Sequence, residues 1–301
     1  MQIGIDLGGT KTEAIALEKS QLVVPRRRIA TPRDYGGTIE AIVRLVAELE
    51  TEAGRSGTVG VGIPGVVSRA TGLVKNANSI WLNGRPLRSD LETRLERPVR
   101  VANDANCFAL SEAVDGAGRG LETVFGVILG TGVGGGIAIR RRIHEGPNQI
   151  AGEWGHNPLP WMTEEERRAA PPCYCGQHGC IETFLSGPGF ERDYERASGT
   201  RKASQDVVRA AAEGEVTARE TLQRYQHRLA RALASVINVL DPDAVILGGG
   251  MSNLPRLAEA VSAALPGFVF SDTVVTRILP NVHGDSSGVR GAAWLWAEEP
   301  G

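Results

Sequence analysis

Apolar runs of strand length alternate with glycine turns at the start of the chain. Three β-type runs cover residues 2–7, 11–17 and 22–29. A helix is predicted at about 37–53, because apolar residues recur there at helical spacing and a glycine follows at once. A buried strand that ends in a glycine turn comes next, at 58–65. The predicted order of elements is therefore βββαβ.

The same plan is predicted a second time later in the chain. Two apolar runs, 124–129 and 136–140, flank a glycine turn, much as the first two runs do. A long amphipathic helix follows and stops at Pro242, and a buried strand with a glycine turn covers 244–252. The apolar positions of that helix are Leu222, Tyr225, Leu229, Leu233, Val236, Ile237 and Leu240. This repetition predicts an internal duplication of a large unit.

The duplication predicts an α/β fold of two lobes with a ligand cleft between them. The chain of 301 residues, 42% of them hydrophobic, is long enough for two cores. We place the N-terminal lobe at 1–116, with a final helix at 289–301 returning to it, and the C-terminal lobe at 117–288. Between the two cycles, a strand is predicted to run into a helix, with Asn103 and Asp104 at the turn.

Charge and hydropathy exclude several classes of function. A net charge of −2 and a pI near 6.3 give no basic face for nucleic acid or for an anionic membrane. No apolar run approaches the ~18 residues of a membrane span, and the N-terminus begins as a strand and not as a signal peptide. We therefore expect a soluble, cytoplasmic protein.

One histidine and three closely spaced cysteines predict a metal site. His156 precedes the segment CYCGQHGC, which contains Cys173, Cys175 and Cys180. Thiolates and imidazole are the ligands that Zn²⁺ prefers, and four of them close a tetrahedral structural site. A disulfide is the alternative, but three cysteines leave one unpaired. His178, inside the cluster, is an alternative fourth ligand.

Two carboxylates flank this cluster. Glu153 lies three residues before His156, and Glu182 lies two residues after Cys180. If zinc joins the two segments, it also brings both glutamates to one place. The predicted metal would therefore fix the positions of the two segments that carry these glutamates, and so support a polar site.

Three glycine turns follow predicted strands and suit a nucleotide. They are Gly8-Gly9-Thr10, Gly130-Thr131-Gly132 with Gly134 to Gly136, and Gly248 to Gly250. Successive N–H groups in such turns can bind an anion, although a simple hairpin explains any one of them. The second turn also matches G-x-G-x-x-G, but the dinucleotide fingerprint needs a helix after the glycines and a strand is predicted there.

Two aspartates lie at predicted strand ends. Asp6 ends an apolar strand beside the first turn, where Mg²⁺ next to phosphates would compensate its charge. The alternative for Asp6 is a local Asx turn. Asp104 could accept a proton from a substrate hydroxyl, and its alternative role is the N-cap of the helix that follows it.

These segments together resemble a known family. DLGGTKT at 6–12, NDAN at 103–106, GTGVGGG at 130–136 and GEWGH at 152–156 are similar to the motifs of ROK sugar kinases, as are GIPG, CYCGQHGCIE and GGGMSN. The resemblance covers essentially the whole chain. The segments VKNANSIWLNG, GEWGHNPLPWM and HGDSSGVRGAAWLW are most similar to bacterial fructokinases of the manno(fructo)kinase type.

The resemblance implies an actin/hexokinase-like fold, a duplicated ribonuclease H-like βββαβαβα unit, and ATP-dependent transfer to the 6-hydroxyl of fructose or mannose. Asp104 would be the general base. The hexose would be bound by Gly65, Asn78, Asn103, Asp104, Glu153, His156 and Glu182. ATP with Mg²⁺ would be bound by Asp6, Gly8, Gly9, Thr10, Lys11, Gly130, Thr131, Gly132, Gly249 and Gly250. The zinc would be structural, and a homodimer is the family expectation.

Other functions remain open at this point. An N-acetylglucosamine kinase shares NDANCFALSE, GQHGCIE and the HGD segment, and a glucokinase shares the hydroxyl-binding residues. A sugar-responsive repressor of the same family would carry an N-terminal DNA-binding domain, and none is expected before Asp6. An actin-like or chaperone-like ATPase would not need the Glu/His/Cys cluster.

Overall fold

The computed structural model describes residues 1–297 of the chain. Its strands are β1 (Gln2–Leu7), β2 (Lys11–Glu18), β3 (Gln21–Ala30), β4 (Thr58–Ile63), β5 (Val66–Val67), β6 (Val74–Lys75), β7 (Val99–Asn103), β8 (Thr123–Leu129), β9 (Val133–Ile139), β10 (Arg142–Ile143), β11 (Ala244–Gly248) and β12 (Arg277–Pro280).

The α-helices are α1 (Tyr35–Ala53), α2 (Leu87–Leu95), α3 (Asp104–Val114), α4 (Glu164–Arg168), α5 (Ile181–Leu185), α6 (Gly187–Ser198), α7 (Ser204–Glu213), α8 (Val216–Leu240), α9 (Leu257–Ala264) and α10 (Ser287–Trp294). Short 3₁₀ helices cover Ile80–Leu82, Trp154–His156, Gly250–Asn253, Leu265–Gly267 and Gly284–Ser286. No helix among residues 1–297 is both long and apolar enough to cross a membrane.

The two large sheets confirm the predicted α/β duplication. One sheet has the strand order β3-β2-β1-β4-β7 and the other has the order β10-β9-β8-β11-β12. In both, the third, second and first strands of the cycle are neighbours in that order. The first strand then pairs in parallel with the next strand, β4 or β11, which pairs in parallel with the last, β7 or β12. Each cycle therefore builds the same five-stranded sheet from the same order of elements.

The chain divides into two compact units. The first contains residues 1–120, 136–150 and the segment from Val282 onward, and the second contains 121–135 and 151–281. The lobe boundaries expected at 116/117 and 288/289 remain a prediction. The final helix, expected over 289–301, is described up to Ala297, where α10 has already ended, and residues 298–301 lie outside the described part of the chain.

Helix α1 has the ends that its sequence predicts. The Asp34 side chain accepts a hydrogen bond from Gly37 N and caps the first turn. Gly54 adopts a left-handed conformation with φ 68° and donates to the last carbonyls of the helix. The face of α1 that carries Ile42, Leu45 and Leu49 is fully buried in the core of the first unit. The predicted helix start at 37 is two residues later than the observed one.

Glycines let α10 lie directly on the first sheet. A Cβ atom on Gly4 of β1 would overlap the carbonyl of Val289, and one on Gly60 of β4 would overlap the carbonyl of Ala292. Only a residue without a side chain allows strand and helix to approach this closely. The C-terminal segment is therefore built into the first unit through β1 and β4, the strands that end at Leu7 and Ile63.

In the second unit, α8 is longer than the apolar pattern suggests. It begins at Val216 and ends at Leu240, and Asp241 then turns into a left-handed conformation before Pro242. Its buried face includes two arginines, Arg228 and Arg231, each with only 3% of the side chain exposed. These positions interrupt the apolar pattern, because they form ion pairs with the buried Glu166 instead of packing on apolar side chains.

One glycine turn is shorter than predicted. Strand β9 begins at Val133, so Gly134, Gly135 and Gly136 lie in the strand and not in a phosphate-binding turn. Their small size serves packing: a Cβ on Gly135 would lie 2.7 Å from the Trp154 ring, and one on Gly136 would overlap the backbone of Ala105. Assigning all three to the turn was wrong, and the turn itself consists of Gly130, Thr131 and Gly132.

Candidate active site and metal centre

In the first unit, the candidate residues lie at the ends of neighbouring parallel strands. Asp6 is near the end of β1, Gly65 follows β4, and Asn103 ends β7. β4 pairs in parallel with both β1 and β7, so these three ends meet at one edge of the sheet. The Asn103 side-chain amide donates to the Gly65 carbonyl at 3.4 Å. The sheet topology therefore brings the residues of the first unit together, as the strand order predicts.

Asn103 and Asp104 have different roles at the start of α3. The Asn103 side chain accepts hydrogen bonds from Ala105 N at 2.9 Å and Asn106 N at 3.3 Å, which makes it the N-cap. Asp104 is the first helical residue, and one of its carboxylate oxygens accepts from Ala105 N at 2.8 Å. The alternative that Asp104 is the cap is therefore replaced by Asn103, and the Asp104 carboxylate is partly exposed at the helix N-terminus.

The environment of Asp6 disfavours its charged form. Burial raises the pKa of this carboxyl to about 7, and the negative charges of Asp104 and Glu13 add to the effect. Glu13 lies directly opposite Asp6 on β2, and its ion-pair partners are Arg26 and Arg28. A divalent cation near Asp6 and Asp104 would relieve the repulsion between them, so the carboxylates present fit a bound Mg²⁺.

The turn between β1 and β2 is tight and fixed by the backbone. Gly8 N donates to Lys11 O at 3.0 Å, and the Thr31 hydroxyl donates to Gly8 O at 2.8 Å. Gly9, Thr10 and Lys11 are exposed. Near Gly9 lies the buried Ser79, whose hydroxyl has no hydrogen-bond partner within residues 1–297 and lies 3.5 Å from where a Gly9 Cβ would be.

This orphaned hydroxyl suits a ligand at the first turn. A buried hydroxyl without a partner is unfavourable by about 1–3 kcal/mol, and a phosphate oxygen at the Gly9 backbone would satisfy it. Ser79 did not emerge from the sequence pattern, since a lone serine in a loop carries no signal. Its neighbour Asn78, which the family resemblance does indicate, is exposed.

In the second unit, the turn after β8 is joined to Glu182. Gly130 N donates to Gly132 O at 2.9 Å, and Gly187 N donates to Gly130 O at 2.8 Å. The Glu182 carboxylate accepts from Val133 N at 2.9 Å, directly after the turn. A Cβ on Gly132 would lie 2.7 Å from that carboxylate, so glycine is needed for this approach.

A second glycine turn meets the first at the same sheet edge. β8 and β11 are adjacent and parallel, so the turn at 130–132 and the turn at 249–250 follow neighbouring strand ends. Gly249 has φ 83°, and a Cβ there would overlap the carbonyl of Leu129. Gly250 has no atom within 4 Å of its Cβ position. The glycines in both turns expose backbone without a side chain, which fits a phosphate or the flat face of a base.

Trp154 anchors the segment that carries Glu153 and His156. Its indole donates to the Gly134 carbonyl at 3.0 Å, and its ring meets Phe125 edge-on at 5.6 Å. Glu153 is exposed beside it. The packing of one tryptophan therefore sets the position of the two polar residues that flank it.

The predicted metal ligands converge in space. The donor atoms of His156, Cys173, Cys175 and Cys180 all lie within 4.8 Å of one another, and all four cysteines of the chain are free thiols. His156 Nδ1 is 3.5 Å from Cys173 Sγ, and Cys175 Sγ is 3.6 Å from Cys180 Sγ. Zinc bonds of about 2.3 Å to sulfur and about 2.0 Å to nitrogen place tetrahedral ligands about 3.5–3.8 Å apart. The donor set therefore fits zinc, and the disulfide alternative is not what the structure contains.

Backbone bonds bring the two ligand segments together. Leu159 N donates to Gly179 O at 2.9 Å, and Ile181 N donates to Asn157 O at 2.8 Å. His178, the alternative ligand, is exposed and is not one of the four converging residues. His156 is thus the histidine whose position fits the metal.

Tyr174 is a further residue at this cluster that the sequence did not single out. Its hydroxyl lies 2.9 Å from His156 Nε2, and its ring meets the imidazole edge-on at 5.0 Å. Burial raises the pKa of Tyr174 to about 12, and the charges of Glu182 and Glu153 contribute to the shift. The phenol is therefore protonated at neutral pH and lies in the electrostatic field of both glutamates.

The sequence of the chain is similar to sugar kinases over nearly its full length. The profile of the ROK family matches residues 2–299. The chain is 42% identical over 299 residues to an N-acetyl-D-glucosamine kinase of Vibrio cholerae, with 98% of this chain and 99% of that protein covered.

Solved structures agree with the match. A ROK hexokinase from Thermus thermophilus superimposes with a TM-score of 0.86 at 30% identity, covering 97% of this chain and 96% of the other. A ROK glucokinase from Streptomyces griseus, in complex with glucose and AMPPNP, has a TM-score of 0.79 at 28% identity, with 98% of both chains covered.

Proposed function

The chain belongs to the ROK family, and from this premise we propose that it is an ATP-dependent kinase of N-acetyl-D-glucosamine. Its relatives support the coarser statement, a sugar kinase, over nearly the full length of the chain. The finer statement rests on a kinase of that name, 42% identical to this chain. The observation that carries a kinase chemistry is the pair of mutually repelling carboxylates, Asp6 on β1 and Asp104 directly after β7, at one edge of the first sheet.

Asp104 is the general base in the proposed reaction. Phosphoryl transfer needs positioning and charge neutralisation more than covalent chemistry. A sugar hydroxyl is a weak nucleophile, so a carboxylate that orients it and takes its proton accelerates the transfer. Asn103 caps the helix N-terminus, and the partly exposed Asp104 carboxylate is assigned to the substrate hydroxyl. The 6-hydroxyl is the family expectation for the position phosphorylated.

Asp6 and the glycine turns are assigned to the nucleotide. Mg²⁺ held near Asp6 would neutralise charge on the phosphates. Gly8, Gly9, Thr10 and Lys11 provide the first turn, and the buried Ser79 hydroxyl offers an added donor there. Gly130, Thr131 and Gly132 provide the second turn, with Gly249 and Gly250 assigned to the adenosine.

The remaining residues are assigned to the sugar. Its hydroxyls are assigned to Gly65, Asn78, Asn103, Glu153, His156 and Glu182. Zinc on His156, Cys173, Cys175 and Cys180 would fix the segments that carry the glutamates. Free thiols as metal ligands suit a reducing compartment, so a cytoplasmic location remains our prediction.

Fructose is a second candidate substrate, because of one segment. NPLPWM, after His156, resembles fructokinases. In the structure Leu159 of this segment is buried, and the Trp161 carbonyl accepts from Arg231. These contacts fix the position of the segment in the second unit, and we propose that it contributes to the choice of sugar. Mannose and glucose are therefore included in the same test.

The test is ADP release with Mg-ATP across N-acetylglucosamine, fructose, mannose and glucose, compared as kcat/KM. We expect N-acetylglucosamine to be preferred by tenfold or more. A preference for fructose would replace the proposed substrate and keep the kinase. No turnover with any of the four, from protein that binds zinc and is folded, would contradict the kinase itself.

A further inference from the structure

We propose that Asn83 is a positioning residue for the sugar site, whose side-chain amide fixes the backbone of Ala77 and thereby sets the position of Asn78. This inference rests on the proposed function, which assigns Asn78 to the sugar. It adds a residue that has no assigned contact with a ligand. Asn83 and Asn78 lie in one loop, residues 74–85, and all contacts that carry the inference lie within the first unit.

The base of this loop is closed by backbone hydrogen bonds. Val74 N donates to Arg85 O at 2.9 Å, and Gly84 N donates to Val74 O at 2.8 Å. Leu82, on the returning arm, is fully buried in the core of the first unit. Both arms of the loop are therefore anchored, and residues 76–80 form the segment between them.

The Asn83 side chain makes two hydrogen bonds to one residue of this segment. Ala77 N donates to Asn83 Oδ1 at 2.9 Å, and Asn83 Nδ2 donates to Ala77 O at 2.8 Å. The N–H must face the amide oxygen and the carbonyl must face the amide nitrogen, so this pair of bonds also fixes the orientation of the amide. Ala77 is only 6% exposed, so its backbone groups have little access to water and need these partners.

Ala77 in turn packs against residues assigned to the sugar. A Cβ atom on Gly65 would lie 2.9 Å from Ala77 Cα, so glycine lets the loop contact the turn after β4 directly. The Gly65 carbonyl accepts a hydrogen bond from the Asn103 side chain at 3.4 Å. A continuous series of contacts therefore connects Asn83, through Ala77 and Gly65, to Asn103.

Asn78, which follows Ala77, depends on this arrangement for its position. It is exposed, and its side chain has no hydrogen-bond partner within residues 1–297. Its place is therefore set by the backbone of its neighbour. If that backbone were loose, it would have to be ordered when the sugar binds, and the entropy of ordering would weaken the affinity. A segment that Asn83 fixes beforehand avoids this loss.

Two substitutions test this role. Asn83→Ala removes both hydrogen bonds, and Asn83→Asp keeps the size of the side chain but brings a carboxylate against the Ala77 carbonyl. We expect each variant to raise the KM and the calorimetric Kd for the preferred sugar about tenfold, while kcat changes less than about threefold, because the ordering is added to the binding step. Asn83 is exposed, so both variants should fold and keep their zinc.

A double-mutant cycle separates positioning from stability. If Asn83 acts through Asn78, then Asn83→Ala should change the sugar Kd less than about twofold in a chain that already carries Asn78→Ala. Arg97→Ala is the matched control. It removes hydrogen bonds to Glu50 and to the backbone just before β4, at the opposite end of that strand from Gly65. It should lower the unfolding temperature and leave the sugar Kd unchanged.

An unchanged sugar Kd in both Asn83 variants overturns the proposal. A tenfold effect that persists in the Asn78→Ala chain also overturns it, because Asn83 would then act through another part of the site. An equal rise in Kd from Arg97→Ala would assign the effect to lost stability. If the wild-type chain binds none of the four sugars, the proposed function fails and this role fails with it. If it binds one and the Asn83 variants bind equally well, only the positioning role fails.

Discussion

Asp6 in the first unit and Glu166 in the second are both carboxylates shielded from water, yet their pKa values move in opposite directions. Burial, together with the nearby charges of Asp104 and Glu13, raises the pKa of Asp6 to about 7. Burial would also raise the pKa of Glu166, but hydrogen bonds from Arg231, Arg228 and the backbone of the α4 N-terminus lower it to about 2. The difference lies in the partners.

The contrast distinguishes Asp6, which we assign to a ligand site, from Glu166, whose ion pairs stabilise the fold. Glu166 receives two arginines from α8 and completes a capping box with Thr163, so its charge is satisfied within the protein. Asp6 lies opposite Glu13 on β2, and the arginines on β3, Arg26 and Arg28, pair with Glu13. A buried carboxylate left in repulsion with its neighbours reduces stability, and such groups are concentrated at functional sites.

The largest expected effect comes from Asp104, the other member of the repelling pair. Asp104→Asn keeps the shape of the side chain but cannot accept the proton. We expect kcat to fall by about 10²–10⁴, or about 3–5 kcal/mol on the barrier, with the KM values for sugar and ATP little changed. Steady-state kinetics at saturating Mg-ATP measure this.

Asn103→Ala is the informative companion to this variant. It removes the helix cap and leaves the carboxylate in place, so we expect a loss of stability of about 1 kcal/mol and a much smaller loss of kcat. Turnover of Asp104→Asn within tenfold of the wild-type rate would remove Asp104 from its role as base.

Glu166→Gln tests the structural member of the comparison. A carboxyl with a lowered folded pKa contributes stability above its unfolded value of 4.5, and this contribution is lost as the pH falls toward 2. We therefore expect the variant to lose about 3 kcal/mol at pH 7 and progressively less below pH 4.5. Denaturant unfolding at pH 7 and at pH 3 measures both values.

The control for Glu166→Gln is Glu164→Gln on the same helix, where the carboxylate is 70% exposed and paired only with Arg168. It should lie within about 0.5 kcal/mol of the wild type. Equal losses from both variants would show that the helix tolerates neither change, and that the buried ion pair is not the cause.

Asp6→Asn should have the opposite sign. A carboxyl with a raised folded pKa leaves the protein most stable below pH 3.8 and costs stability as the pH rises through 7. Without Mg²⁺, the variant should therefore be more stable than the wild type by roughly 4 kcal/mol at pH 8, and nearly equal to it at pH 4. Thermal unfolding at both pH values in buffer without added Mg²⁺ and without a chelator, so that zinc stays bound, measures the difference.

Added Mg-ATP sharpens the same experiment. It should stabilise the wild type and leave Asp6→Asn almost unchanged, because the variant lacks the charge that the cation would neutralise. A variant that is less stable than the wild type at pH 8 would mean that the Asp6 carboxylate has a partner that favours its charged form.

The fold was predictable because its signals are local. Strand-length apolar runs, the helix ends at Gly54 and Pro242, and the repeated order of elements all appear in the chain itself. The duplication also locates the difference between the units: Asp6 pairs with Gly62 of β4, and the equivalent position in the second sheet is Ile128, which pairs with Gly248 of β11. The same framework thus holds a carboxylate in one unit and an apolar residue in the other.

The parts of the site that escaped prediction depend on distant contacts. Ser79 gains interest only because it lies beside Gly9, and Glu166 is paired across 62 and 65 residues with Arg228 and Arg231. The strand start at Val133 was missed because glycine usually indicates a turn, whereas Gly135 and Gly136 serve close packing here. The spacing of the cysteines did predict that the donor atoms of His156, Cys173, Cys175 and Cys180 converge, since ligand type and number indicate such a cluster.

The smallest expected effect concerns the proposed zinc site, the cluster of His156, Cys173, Cys175 and Cys180. Cys175→Ser removes an exposed thiol and leaves the backbone in place. We expect zinc to be lost and sugar binding to weaken about tenfold, or about 1.4 kcal/mol, because the segments carrying Glu153 and Glu182 lose their common anchor. Zinc content and calorimetric titration with sugar measure the two effects separately.

His178→Ala should retain both zinc and sugar affinity, because His178 lies outside the four converging ligands. A zinc-free Cys175→Ser protein with wild-type sugar affinity would show that the glutamates keep their positions through the backbone bonds at Leu159 and Ile181 alone.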